Sequence, residues 1–482
     1  MLRPAIVTAL LLATLPARPQ ATGIVSIGDA VRTSDTAAAR ARSVHTRGLT
    51  RPTAPRPIHI LYMHGINQVG AGDSAELRKA ICHFLHACTV TPQGRLYAAG
   101  PFTTGATPPP FANMGAPIWT STDDWSASAP FIDRYRIEGD GHIPIVLDEI
   151  NWWPVVYPVK CKWLIEHDAS LTGPAKAQLN ICAAAPTGTQ PDPAHAGRFL
   201  SFQWIPSAQI SKLGSLHRIA TIGNRNLKNG LMDWGFADAV LALGPTQQIL
   251  YAGIRELLVQ SLQADGVDLA NIGPHDPGPE YYFITHSLGS YLALATLDTQ
   301  SFGPTNDVLP VFAPTSQQKT AVDYLSAHTA GFFFLANQIE LLELAHVGPS
   351  QSAAASIPCP VAPSTDAQIA TNAPSTPAPS AAAPAGTAAP ATITHWQCER
   401  AQYVQQQSAT AAAIPQIIAW SDPNDLLSWN VPAIDGVHVV NIPVRNAAFG
   451  VPPFLVSPTG AHANYAQNRK ILRTIFAPTP KS

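Results

Sequence analysis

The sequence predicts an α/β fold, with a mostly parallel central sheet flanked by helices. Three stretches carry that expectation. Tyr281–Ile284 is an apolar run that stops at Thr285-His286-Ser287-Leu288-Gly289, and an apolar helical pattern follows from Leu288 to Leu297. Ile58–Met63 is a strand-like run that ends in His64-Gly65, with a helical pattern behind it. Ile414–Trp420 and Val437–Val444 are two further strand-like runs, the second ahead of a C-terminal helix. Strands alternating with helices place the sheet between helical layers.

Composition narrows the function classes. An apolar fraction of 46% is enough for a large core, and a net charge of −2 gives no electrostatic footprint for nucleic acid. The start of the chain has Arg3, then an apolar run from Ala5 to Leu15, then small residues near Ala17 and Ala21. That pattern reads as a secretory signal over residues 1–21 and implies a secreted or periplasmic protein. No later segment is apolar enough over 18 residues to span a bilayer. Residues 22–56 hold Arg32, Arg40, Arg42, Arg47, Arg51 and Arg56 and few large apolar groups. They read as a flexible basic leader, with contact to a membrane surface as the alternative.

Six cysteines, an even number, suit an oxidising compartment. Cys161 and Cys182 are close in sequence, as are Cys359 and Cys398. Cys82 and Cys88 can bridge only if the helix between them ends. Six helical residues would separate them by about 9 Å. No Cys-x-x-Cys spacing points to a metal.

The elements follow in order. Asp73 is the expected N-cap of the first helix, with Glu76 reaching back, and Leu77, Ala80, Ile81, Phe84 and Leu85 on its apolar side. Residues 95–140, rich in Gly, Pro, Thr and Ser, read as loop, and about 95–230 as a cap or lid insertion. Within it, Ile143–Ile150 reads as a strand. Long helices are expected from Ile219 to Gln263. Gly331–Leu344 reads as a buried strand running into a loop. From Pro349 to Thr394 there is no aromatic residue and one charge, Asp366. Such a segment cannot bury enough apolar surface to fold, so 349–395 is expected to be a disordered Ala/Pro-rich loop. The folded domain then covers 57–482.

Three loops carry the chemistry. Ser287 lies on a sharp strand-to-helix turn, with small residues where the backbones nearly touch. An acid follows the strand at 414–420. Asp425, ahead of Leu426-Leu427, is preferred to Asp422, which would cap the turn. His462, after Gly460-Ala461, precedes the last helix. His438 is expected inside a strand as a satisfied core histidine. A serine needs an imidazole to take its proton, and a carboxylate to fix the imidazole tautomer. The amides of Ile66 and Leu288 would bind the oxyanion. His64 is read as a hydrogen-bonding residue of its loop, and His286 as a packing residue.

The order Ser287, Asp425, His462, with His64-Gly65 upstream, resembles the α/β-hydrolase superfamily. The departure is Thr285, which stands where the Gly-x-Ser-x-Gly pentad has its first glycine. The helix with Asp238-Ala239-Val240-Leu241, a second helix, and the strand ending in His286-Ser287-Leu288-Gly289-Ser290 look similar to some intracellular phospholipases. The resemblance implies a serine esterase or lipase that acts on ester or lipid-like small molecules and needs no metal or cofactor. An amidase, peptidase or thioesterase of the same fold is the alternative. A catalytically silent hydrolase fold that binds at the cell envelope is another. Oligomeric state is left open.

Overall fold

A computed structural model describes residues 57–66, 72–85, 88–99, 129–139, 143–167, 228–244, 246–272, 279–298, 312–346, 416–433, 437–446 and 458–476, together with 26, 27, 221, 396 and 400. The expected signal and the 349–395 loop lie outside these residues, as do Cys182 and Cys359 and all but two positions of the basic leader.

Eight strands form one sheet: β1 (Ile58–Met63), β2 (Cys88–Tyr97), β3 (Phe131–Gly139), β4 (Ile145–Asn151), β5 (Tyr281–His286), β6 (Thr329–Leu335), β7 (Gln416–Ser421) and β8 (His438–Pro443). Their order across the sheet is β2-β3-β4-β1-β5-β6-β7-β8. From β4 to β8 all neighbours are parallel, and β3 runs antiparallel to β2 and β4. The chain leaves β1 toward one edge and later resumes on its other side with β5. The carboxyl ends of β1 and β5 therefore flank a topological switch point, where open α/β sheets bind ligands.

The described helices are α1 (Ala75–Leu85), α2 (Trp153–His167), α3 (Ala237–Leu243), α4 (Gln247–Ala264), α5 (Leu288–Leu297), α6 (Ser316–His328), α7 (Ile339–Glu343), α8 (Pro458–Ala463) and α9 (Arg469–Phe476). A π-helical stretch, Lys228–Phe236, leads into α3. None of the described helices is long and apolar enough to cross a membrane.

The central strands are buried on both faces, which is why they read as unbroken apolar runs. In β5 and β6, Phe283, Phe332 and Phe334 face one layer, where α4, α5 and α6 supply Leu257, Leu292 and Val322. Tyr282, Ile284 and Phe333 face the other, with Leu77 and Ile81 of α1 and Ile471 and Ile475 of α9. One-residue alternation thus divides each strand between two cores.

Residues 95–97 and 131–139 depart from the loop expectation, since they belong to β2 and β3. The described part of the 95–230 stretch thus contributes β3, β4 and α2 to the sheet and its flanking layer. β2 is an exposed edge strand that carries Pro92 and a register shift before Gly94, so its sequence lacks strand alternation. β3 hides behind its charges. Arg134 is buried because its guanidinium meets Asp148 at 2.7 and 2.6 Å, Asp265 at 2.9 Å and the Ser261 carbonyl at 3.0 Å. Arg95 pairs with Asp133 at 2.7 Å. The Arg134 cluster ties β3, β4 and α4 together.

α1 begins differently from the expectation as well. The Asp73 carboxylate accepts the Tyr62 hydroxyl at 2.6 Å, and Glu76 pairs with Lys79 at 2.6 Å. The helix start is instead satisfied by Glu149 of β4, which is fully buried. Its carboxylate accepts the amides of Gly72 (2.6 Å), Asp73 (3.0 Å) and Ser74 (3.3 Å) and the Ser74 hydroxyl. These amides belong to the turn that leads into α1, and the dipole of the helix favours an anion close to its N-terminus. α1 ends at Leu85, so Cys82 and Cys88 come within disulfide distance, with Cα atoms 5.0 Å apart.

Candidate active site

β5 ends at His286, and α5 begins at Leu288, leaving one residue to reverse the chain. Ser287 takes φ 54° and ψ −124°, a region that costs a non-glycine residue energy. The surroundings hold it there. Its amide donates to the Leu335 carbonyl at 2.7 Å, and its carbonyl accepts from Ser290 at 3.0 Å. The neighbours must be small. A Cβ on Gly289 would collide with the Met63 and His64 carbonyls, and one on Gly65 would lie 2.7 Å from the Ser287 Cβ. The loop after β1 is therefore pressed against the serine.

Thr285 is accommodated by a hydrogen bond. It is fully buried, and its hydroxyl lies 2.8 Å from the Ser290 hydroxyl, joining the end of β5 to the first turn of α5. Thr285→Val keeps the shape and orphans the Ser290 hydroxyl. It is expected to cost about 1–3 kcal/mol in urea unfolding, with much of that regained when Ser290→Ala is added. An unchanged midpoint for Thr285→Val would contradict this role.

Above the turn, three side chains meet. His462, on α8, places Nε2 2.9 Å from the Ser287 hydroxyl. Its Nδ1 faces Asp425 at 2.9 and 3.0 Å. The Asp425 side chain is completely buried, and that of His462 is 14% exposed. Asp425 also accepts the Leu427 amide at 2.9 Å and the Tyr465 hydroxyl at 3.1 Å. Burial, foremost, raises the pKa of Tyr465, so the phenol stays protonated and donates. An acceptor carboxylate puts the imidazole hydrogen on Nδ1, leaving Nε2 free to take the serine hydrogen. Asp422 serves the turn instead. It accepts the Asn424 amide at 2.9 Å and the Asn446 amide at 2.6 Å. His438 is exposed at the start of β8, where a core histidine was expected.

Ile66 lies on the loop after β1, and Leu288 directly follows the serine. Leu288 is the first residue of α5, so its amide has no acceptor within the helix. The loop before Ile66 is held by its histidine. Burial pushes His64 below the usual imidazole range, and its Nδ1–H donates to the Gly65 carbonyl at 2.8 Å. The ring stacks on Trp152 at 4.7 Å, and the Trp152 indole donates to the His64 carbonyl at 3.2 Å. The Gly65–Ile66 peptide is planar, so its carbonyl toward His64 turns the Ile66 N–H to the opposite side. The described residues contain no cluster of His, Cys, Asp or Glu suited to a metal.

Comparisons with protein-family models, with curated proteins and with solved structures find no match for this chain.

Sequence reasoning missed three residues of the site. Tyr465 braces Asp425 through its hydroxyl. His286 does more than pack, because its Nε2–H donates to the His462 carbonyl at 2.9 Å. Gln338, on the turn after β6, donates from Nε2 to the Ser287 hydroxyl oxygen at 2.8 Å. The one available signal for Gln338 was its position just beyond a strand end, and that helps only once β6 is known to adjoin β5.

His286 gives the fold a pH dependence. Burial, then the neighbouring His462, lowers its pKa to about 4. An unfolded histidine titrates near ~6.5. Between those values the unfolded chain binds a proton that the folded chain excludes, so stability falls as pH drops from ~6.5 toward 4. His64 acts in the same direction. His286→Gln is expected to lessen the loss over that window by on the order of 1–3 kcal/mol. Equal acid sensitivity in both proteins would contradict the assignment.

Proposed function

We propose that this chain is a serine hydrolase of the α/β-hydrolase type that cleaves carboxylic esters through an acyl-enzyme on Ser287. One observation carries the reading: the continuous hydrogen-bonded series Ser287–His462–Asp425, at the carboxyl end of β5 and beside the switch point. The strained φ of Ser287 supports it, since strain of this kind concentrates at functional sites.

Ser287 Oγ attacks the ester carbonyl carbon while His462 Nε2 takes its hydrogen. Asp425 stabilises the imidazolium, and the Ile66 and Leu288 amides hold the oxyanion. Collapse expels the alcohol, which takes the proton from Nε2. Water then attacks the acyl carbon with His462 again as base, and release of the acid restores the serine. Asp422 keeps the acid loop in place. The N-terminal pattern supports secretion or a periplasmic location, and the short phospholipase likeness supports acyl substrates of lipid type.

The test is a substrate panel of 4-nitrophenyl esters of increasing acyl length, set beside the matching anilides and thioesters. Esters should give the highest kcat/KM. Turnover confined to anilides or thioesters would overturn the ester assignment.

A further inference from the structure

We infer that Gln338 is a further catalytic residue, whose side-chain amide stabilises Ser287 Oγ as leaving group when the acyl-enzyme is broken down. The inference rests on the serine-hydrolase reading above.

The geometry starts from proton bookkeeping. Asp425 keeps a hydrogen on His462 Nδ1, so Nε2 accepts and the serine hydrogen points to it. Only the NH2 end of the Gln338 amide can then face Oγ, at 2.8 Å. One Oγ lone pair is engaged by Gln338, and the other remains for the substrate carbon. The approach side matters too. β5 lies between β1 and β6. The loop with Ile66 follows β1, and Gln338 follows β6, so Gln338 comes to Oγ from the strand on the other side of β5 from the Ile66 loop. Its partner is the serine oxygen itself.

The donor is rigidly held. Gln338 is 1% exposed. Ahead of it, Ala336 takes a φ of 56° and donates to the Trp420 carbonyl at 3.2 Å. The Asn337 side chain donates to the Trp429 carbonyl at 2.9 Å and accepts the Ile339 amide at 2.8 Å. A fixed donor aimed where charge develops needs no reorganisation during the reaction.

The benefit differs between the two half-reactions. Before acylation the bond to a hydroxyl oxygen already exists, so only its strengthening lowers the barrier. In the acyl-enzyme Oγ is an ester oxygen and a weak acceptor. During deacylation the C–Oγ bond breaks and its electron pair moves onto Oγ. His462 Nε2 returns the proton, and the carboxylic acid leaves. Gln338 then goes from a weak bond to a strong one, so its main effect falls on deacylation.

The experiment is stopped-flow hydrolysis of 4-nitrophenyl acetate by the wild type, Gln338→Met and Gln338→Ala, with the burst counting competent serines. Deacylation should slow by about 10- to 100-fold in both variants, with acylation slowed clearly less and the burst kept near one per chain. Deacylation at the wild-type rate would overturn the proposal. So would an equal loss in both steps, or a reduced burst with unchanged rates, since each marks a purely structural role. A wild-type protein that forms no acyl adduct on Ser287 sinks the hydrolase reading itself, and the role of Gln338 with it.

Discussion

Replacing Ser287 by alanine is expected to lower ester turnover by roughly 10⁵- to 10⁶-fold. The change removes the atom that would form the acyl bond and disturbs little else. Alanine is smaller, and the left-handed backbone at this position is held by the Leu335 and Ser290 hydrogen bonds, which do not involve the side chain. Residual activity would come from the amides of Ile66 and Leu288 acting on a water-driven reaction. The measurement is kcat/KM on 4-nitrophenyl butyrate with purified folded variant. Retention of more than about 1% of the wild-type value would place the nucleophile elsewhere.

The second large effect separates two aspartates three positions apart. Asp425→Asn keeps the shape but offers His462 an amide, which favours the wrong tautomer. It is expected to reduce kcat by about 10⁴-fold. Asp422→Asn leaves His462 untouched and weakens the acceptor that holds the Asn446 amide. Its expected effect is on stability, about 1–3 kcal/mol, with activity kept within about tenfold. Steady-state kinetics and urea unfolding on the pair decide it. The reverse pattern would exchange the two roles.

The central strands were legible because they are buried on both faces, so runs such as Ile58–Met63 and Tyr281–Ile284 are apolar throughout. β2 and β3 were not, for two physical reasons. An exposed edge strand has no apolar alternation to read, and β3 carries Asp133, Arg134 and Arg136. The partners that make the buried Arg134 acceptable, Asp148 and Asp265, lie outside its own strand.

The site shows the same division. Ser287, Asp425 and His462 could be named because each lies just past a recognisable strand or just ahead of the last helix. Gln338 and Tyr465 could not, nor could Glu149 at the start of α1, since their roles depend on which strands become neighbours and on which side chains face the turn. Glu149 is the clearest case. It sits in a fully buried strand, and its four donors come from a loop more than seventy residues earlier. Thr285, the departure from the glycine pattern, proved to have a partner in Ser290 that lies within the same ten-residue stretch.

The most direct measurement is reaction of the folded protein with a fluorophosphonate, followed by peptide mapping. The expected result is one phosphonyl group per chain, on the peptide that contains Ser287, and none on the Ser287→Ala variant. An unlabelled wild-type protein, or a label that persists in Ser287→Ala, would contradict a nucleophilic Ser287.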